Sequence, residues 1–475
     1  MTLANAKIVA TLGPATESPE TVADLIRAGV RIFRLNASHG VWSQHQQRIN
    51  TIRAIEAELN QPVAILLDLQ GPKIRLGSFA TGKCNLKTGA RFTITTEPIL
   101  GDDTRASTTY ALFAHDVHPG NRVLLNDGAV ALRALSNNGT EVEFEVVSGG
   151  VAGDQKGINL PGVRVSAPSM TEKDIADLQS GLAAGVDFVA LSFVRSAKDV
   201  RELLDRIGTP RIPVIAKIEK PEGVSNIEEI LDLVSGIMVA RGDLGVEMSL
   251  EMVPAIQKML IRQARRKNRF VITATQMLES MIENANPTRA EVSDVANAIY
   301  DGSDAVMLSA ETSVGKHPVA AVGYMTRIGL ETEKGLHESG HANFAKLSDN
   351  SDSGIVADAA FVAAHAVGVK AIVVFTERGF SARLISRLRP EVPVIAMSTS
   401  LEVVRRLQIN YAVNPVLAPE VETTDAMIGQ MDTLLVEKGL LHPGDKVVFV
   451  AGTPVGSAGS TNLIKLHIVK KEVPA

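Results

Sequence analysis

The chain has a single cysteine, Cys84, among 475 residues. One thiol can form neither an intrachain disulfide nor a cysteine zinc cluster, which excludes the disulfide-stapled secreted scaffolds and fits a reducing cytoplasm. Aromatic residues are also scarce, with 4 Tyr, 1 Trp and 13 Phe. The core must therefore be mainly aliphatic. There is no excess of positive charge: 48 Lys and Arg against 53 Asp and Glu leave a formal net charge of −5. A weakly acidic chain lacks the general basic face that nucleic acids and anionic membranes require. Long apolar runs are missing too. The start, MTLANAKIVATLGPAT, has too short an apolar core for a signal peptide, and Lys7 interrupts it. The most apolar stretch, 355–375, carries Asp358, His365 and Lys370, so it is not expected to span a bilayer. A soluble cytoplasmic protein with no nucleic-acid or membrane partner is expected.

The composition is that of a globular protein, 45% hydrophobic and 21% charged, and the length suggests roughly two to four domains. Eight short apolar runs recur at 7–12, 30–36, 63–69, 188–193, 214–219, 237–241, 270–275 and 305–310. Helical patterns separate them. Ser18 as N-cap, Pro19 and Glu20 in the first turn and Gly29 at the stop define the first helix. Capping patterns open two later ones, at 171–184 and 288–300. Strand and helix in alternation predict a (β/α)8 TIM barrel, with a doubly wound open sheet as the alternative. The polar residues favour the barrel. Arg34, Asn36, Asp68, Lys217, Glu219, Arg241, Asp243, Thr275 and Ser309 stand at the C-terminal ends of the runs, which a barrel gathers at one mouth.

Residues 71–165 have a different texture, with alternating β-branched stretches at 91–96, 122–125, 129–135 and 141–147. Asn126-Asp127-Gly128 and Asn137-Asn138-Gly139 supply turns. This reads as a small β-barrel lid domain inserted in a βα loop. A polar linker at 343–353 leads to further runs at 371–376, 394–398, 446–451 and 463–469, which predict a C-terminal α/β domain. The expected division is barrel 1–70 and 166–340, lid 71–165, and C-terminal effector and interface domain 341–475. The basic run 262–269 ends a helix before a strand, where cations suit the helix dipole; a solvated or intersubunit face is expected there.

Glu219 and Asp243, at neighbouring strand ends, form a candidate hard-cation site for Mg2+ or Mn2+. Alternation along the strand puts Lys217 on the same face as Glu219, suited to stabilising an anionic transition state. A buried salt bridge without chemistry explains the same spacing equally well. Arg34, Arg75 and Lys173 are cations suited to phosphate, accompanied by Asn36, Ser38 and His39. Lys173 lies in the first turn of a helix, where the dipole disfavours it.

Taken in order, KIVATLGPA (7–15), FRLNASHG (33–40), LDLQGPKIR (67–75), TEKD (171–174), FVALSFVR (188–195), AKIEKPEGV (216–224), IMVARGDLGVE (237–247), ATQMLESM (274–281) and the long segment 286–318 resemble the pyruvate kinase family. The resemblance implies phosphoryl transfer from phosphoenolpyruvate to ADP, giving pyruvate and ATP, commonly in a homotetramer. It gives Glu219 and Asp243 as metal ligands, Lys217 as the lysine at the transferring phosphoryl group, and Thr275 beside the substrate methylene carbon. Arg34 becomes a phosphate ligand, and the Gly242 and Asp243 amides hold the substrate carboxylate. Asn36, His39, Arg75 and Lys173 fall on the nucleotide side. The family's K+ ligands match Asn36, Ser38, Asp68 and the carbonyl of Leu69. Lys73 replaces the glutamate of the K+-dependent branch, so K+ is not expected to be required. The segment with Thr376, Arg378, Gly379 and Ser381 resembles an effector-phosphate loop, and a sugar monophosphate or AMP is expected there, with loop 452–459 closing over it. Another barrel enzyme acting on phosphoenolpyruvate or pyruvate, or an inactive binding protein, would share part of this pattern.

Overall fold

The computed structural model describes residues 3–209, 211–338, 351–454 and 461–470. Eight parallel strands close into a barrel: Lys7–Thr11, Val30–Asn36, Ala64–Asp68, Phe188–Leu191, Val214–Ile218, Gly236–Ala240, Phe270–Ala274 and Ala305–Leu308. They follow chain order, and the last pairs with the first, Lys7 opposite Ala305. Strands covered on both faces are nearly continuous aliphatic runs, which is why the sequence shows runs rather than alternation. Val9, Ile32, Leu66, Ile215, Met238 and Ile272 fill the interior. Phe188 and Phe270 meet edge to face inside it, with ring centroids 5.7 Å apart. Gly236 is required beside that pair, because a Cβ there would come within 2.3 Å of the Phe270 ring.

The first helix, Pro19–Ala28, starts where the capping signal put it, with the Ser18 hydroxyl accepting from the Thr21 amide at 3.2 Å. The helices Glu172–Ala183 and Arg289–Tyr300 are likewise capped by Thr171 and Thr288.

Between the third and fourth barrel strands lie a six-stranded sheet and a two-stranded ribbon around a core that includes Phe92, Phe113 and Phe144. The returning chain is tied down at its base: Asp116 accepts from the Ser166 amide at 2.7 Å and its hydroxyl at 2.8 Å.

The C-terminal sheet has five strands in the order Val413–Leu417, Val394–Ser398, Ala371–Phe375, Lys446–Ala451 and Leu463–Ile468, the last antiparallel. Val413–Leu417 is absent from the sequence expectation. Pro415 explains the omission: proline suits only an edge strand, and this strand is one. Residues 343–350 of the expected linker and 455–459 of the expected closing loop lie outside the described residues.

The C-terminal part docks on the end of the barrel opposite the mouth. Ile409 joins the interior cluster from below. Arg405 grips Glu56 with two bonds of 2.8 and 2.6 Å. The basic run corrects its expectation. Only part of it faces solvent: Arg265 is buried and donates to the Arg387 carbonyl at 2.7 Å, while Arg269 donates to the Leu231 carbonyl at 2.8 Å.

Lys7 ties the first barrel strand to the C-terminal sheet, its ammonium donating to the Val413 carbonyl at 2.8 Å. Burial, then the nearby Arg31 charge, depress its pKa from 10.5 to about 7, with Glu333 pulling the other way. Between those values the unfolded chain holds a proton that the folded chain has released, so stability rises with pH across that window. In chemical denaturation from about pH 6 to about pH 9, Lys7→Met should lose part of the wild-type gain. Parallel stability curves for the two proteins would refute this.

Candidate active site

The mouth of the barrel is built around one lysine. Lys217, near the end of Val214–Ile218, is 9% exposed. Its ammonium lies 3.2 Å from Asp68 Oδ1 and 3.1 Å from Glu219 Oε1, and it donates to Ser192 Oγ at 2.7 Å. Burial alone would lower its pKa, but Asp68 and Glu219 together more than offset that and hold it raised. Asp68 is 1% exposed and receives Arg34 Nε at 2.7 Å on its other oxygen. Burial would raise the Asp68 carboxyl, yet Lys217 and Arg34 keep it below the usual range. Arg34 also donates to Thr11 Oγ1 at 3.1 Å.

Glu219 lies just past the strand end. Its second oxygen accepts the Phe193 amide at 2.7 Å. Its pKa is raised, first by burial and then by the Asp243 charge, against the pull of Lys217. Two carboxylates that repel each other in a poorly solvated place form a hard oxygen donor set that a divalent cation would relieve. Among the described residues no group of three or more His, Cys, Asp or Glu side chains is arranged to hold a metal. A cation here would complete its shell from substrate oxygens and water, as Mg2+ commonly does. The residues fit the group.

Thr275 follows Phe270–Ala274 with φ at +69°, a costly backbone for a β-branched residue. Its hydroxyl accepts the Gly242 amide at 2.8 Å and donates to the Ala274 carbonyl at 2.5 Å. Arg241 braces it, donating to the carbonyls of Thr275 at 2.7 Å and Ala274 at 3.1 Å. Gly242 and Asp243 open the short helix Arg241–Glu247.

The other expected residues sit around the rim. Asn36 accepts the Ser38 amide on Oδ1 at 3.2 Å, and His39 is exposed. Lys173 is committed within the protein, to the Ala37 carbonyl at 2.6 Å and Asp177 at 2.5 Å. Arg75 donates to the Gln155 carbonyl at 2.9 Å, inside the inserted part. Lys73 lies on the segment entering the insertion, and a Cβ on Gly157 would meet its Cε at 3.6 Å. Partial burial, then the Arg75 charge and after it that of Lys73, lower the His39 pKa. Asp68 takes its ion pairs from Arg34 and Lys217, not from Lys73. Far away, Thr376 Oγ1 accepts the Gly379 amide at 3.0 Å, Ser381 bonds to Thr461 at 2.5 Å, and Arg378 is exposed.

Sequence reasoning missed Ser192. Its hydroxyl connects Lys217 to the Leu69 carbonyl, each bond 2.7 Å. The available signal was a serine directly after a barrel strand, at the end of the apolar run 188–193.

Two family models match the chain: "Pyruvate kinase, barrel domain" over residues 3–322 and "Pyruvate kinase, alpha/beta domain" over residues 355–467. The pyruvate kinase of Mycobacterium tuberculosis (strain ATCC 25618 / H37Rv) is 46% identical over 469 residues, 98% of this chain and 98% of that protein. That of Clostridium acetobutylicum is 41% identical over 469 residues, covering 98% and 99%. That of Geobacillus stearothermophilus is 45% identical over 469 residues, covering 98% of this chain and 80% of its own length.

Proposed function

Because this chain belongs to the pyruvate kinase family, we propose that it transfers the phosphoryl group of phosphoenolpyruvate to ADP, giving pyruvate and ATP. The observation that carries the reading is Lys217, a buried cation shared between Asp68 and Glu219 with Arg34 beside it.

Phosphoryl transfer calls for alignment and charge neutralisation more than covalent chemistry. Lys217 and Arg34 supply fixed positive charge where the phosphoryl oxygens would gather charge, in a setting that needs no rearrangement. A divalent cation, Mg2+ or Mn2+, held by Glu219 and Asp243 would neutralise further oxygen charge. Gly242 and Asp243 are assigned to the substrate carboxylate at a helix start, with the Gly242 amide resting on the Thr275 hydroxyl here. Thr275 is assigned to the methylene carbon that gains a proton. Asn36, His39, Arg75 and Lys173 are assigned to the nucleotide side. In the division into barrel (1–70, 166–340), lid (71–165) and C-terminal domain (341–475), the lid serves to exclude water that would compete for the phosphoryl group. The lone Cys84 fits a cytoplasmic setting, which cell fractionation would check.

Lys217→Met and Asp243→Ala should each fold and lose at least about a hundredfold in turnover, the scale for one electrostatic stabiliser. A lactate-dehydrogenase-coupled assay with ADP and Mg2+ reads this. Near-normal turnover in either variant would defeat the assignment, and a requirement for no nucleotide would point to a different barrel enzyme.

We assign full activity in the absence of K+. The support is Lys73 in the segment Leu69-Gln70-Gly71-Pro72-Lys73, together with a mouth where Arg34 and Lys217 already face Asp68 and repel a further cation. The enzyme should be fully active in a K+-free tetramethylammonium buffer. Lys73→Glu should lower that activity and make it respond to added K+. A wild-type enzyme nearly silent until K+ is added would refute the reading.

The C-terminal loop with Thr376, Arg378, Gly379 and Ser381 is assigned to a sugar monophosphate or AMP, acting on a homotetramer. Such an effector should lower the substrate concentration at half-saturation, and Thr376→Ala combined with Ser381→Ala should blunt the response. Flat kinetics across a panel of sugar phosphates and AMP would overturn this, as a monomer in sedimentation would overturn the tetramer.

A further inference from the structure

One buried carboxylate near the mouth has no part in the mechanism above. Glu247 ends the helix Arg241–Glu247 and is 5% exposed. Its Oε1 takes the Lys220 ammonium at 2.5 Å and the Asn159 side-chain amide at 2.9 Å. Its Oε2 is buried and has no hydrogen-bond partner. A buried carboxylate is costly unless paired, so a chain that keeps one here holds it by specific contacts.

Those two contacts come from different places, and the helix itself from a third. Lys220 directly follows Glu219, one proposed metal ligand. Asp243, the other, sits one helical turn before Glu247 on the same short helix. Asn159 belongs to Ile158–Asn159, the last strand of the inserted lid. Glu247 therefore joins the backbone behind both metal ligands and connects them to the lid. A small cavity of about 40 Å3 lies at this junction, lined by Lys73 and Asn159 from the insertion and by Phe193, Lys220, Asp243 and Glu247 from the barrel. The start of the helix is pinned independently, through the Gly242 amide on Thr275.

We propose that Glu247 is a positioning residue that couples the seating of the lid to the geometry of the metal carboxylates, with Asn159 as its contact to the lid. It touches no reacting atom. It acts by setting where Glu219 and Asp243 stand relative to one another, and the lid reinforces that setting through one hydrogen bond. Groups that orient metal ligands commonly matter by about 10–100-fold in metal affinity or activity. The inference rests on the metal assignment of Glu219 and Asp243.

The test uses the full-length protein and Mn2+ alone, without substrates, with binding followed by the loss of the free-ion electron paramagnetic resonance signal. Glu247→Ala should weaken Mn2+ binding about tenfold or more. Glu247→Gln, which keeps the size and an acceptor for Asn159 but loses the charge partner of Lys220, should fall between. Asn159→Ala lies on the lid side and leaves the barrel core untouched. It should raise the KM for phosphoenolpyruvate several-fold more than it lowers kcat. In the double variant Asn159→Ala, Glu247→Ala, the Asn159 effect on KM should largely vanish, because the link it acts through is gone. Wild-type Mn2+ affinity in Glu247→Ala, or multiplicative KM effects in the double variant, would overturn the proposal. If Glu219→Gln itself binds Mn2+ like the wild type, the metal assignment fails instead, and the two failures are told apart. Should Glu247→Ala not fold, the kcat against KM split in Asn159→Ala decides: equal or absent effects sink the coupling.

Discussion

The mouth of this barrel depends on one unequal arrangement of charge: a single ammonium, Lys217, standing between two carboxylates that are each at most 1% exposed. Without it, Asp68 would keep Arg34 alone, and Glu219 would face Asp243 with no compensating charge of its own. Removing one partner of a buried ion pair costs stability, a cost limited here by the Arg34 bond to Asp68 and the Phe193 amide on Glu219. The two carboxylates are nevertheless not equivalent. Asp68 is held by two cations and kept ionised, while Glu219 is pushed toward protonation by burial and by Asp243. Two carboxylates a short distance apart thus occupy opposite electrostatic situations. One is a closed ion pair that fixes Arg34 and Lys217 in place; the other is an open donor that gains from any further cation. Separation of this kind marks functional sites, where environments drive like groups apart.

That polarity needs a frame that does not yield. Interior side chains of the strands meet in the close-packed cluster around Phe188 and Phe270, and Ile409 seals the end opposite the mouth. The C-terminal part is therefore not an appendage hanging from a linker. Ile409 packs into the barrel interior, Lys7 opens the first strand, and Arg405 reaches Glu56, whose carboxylate also accepts the Val63 amide just before the strand that ends in Asp68. A shift at that base has a short mechanical path to the mouth, since strands in a closed barrel cannot slide independently of their neighbours.

Much of this was legible in the chain, and the reasons for success and failure are physical. Doubly covered strands are aliphatic over their whole length, and their polar residues fall at one end, so barrel and mouth could both be read from Lys217, Glu219, Asp243 and Thr275. What escaped was of three kinds. Val413–Leu417 carries a proline, tolerated only because the strand is an edge. Arg265 resembled a surface cation in a basic run, but it donates to a carbonyl of the distant C-terminal part, and no local pattern announces a contact 122 residues away. Ser192 and Glu247 are ordinary residue types in ordinary positions; what sets them apart is a partner brought in by closure of the barrel or by the insertion. Local period and composition carry fold, whereas the groups that orient a site are defined by contacts across the fold.

The backbone itself reports where that orientation is hardest won. Phe193, Thr275 and Gln276 all have φ between +53° and +69°, and all lie just beyond barrel strands at the mouth. Such conformations cost on the order of 1–3 kcal/mol each and persist only where surroundings overdetermine them. Here each turn has an identifiable return. The turn at Phe193 delivers its amide to Glu219, and the turn at Thr275 delivers a hydroxyl to Gly242 and a carbonyl to Arg241. The hydrogen bonds made by these turns end on the very residues whose positions the chemistry requires. A relaxed backbone at either place would be locally more comfortable and would leave a carboxylate or a helix start without its anchor. The rigid aliphatic barrel supplies the stability against which this strain is set, so the inert strands and the strained mouth are two halves of one design constraint.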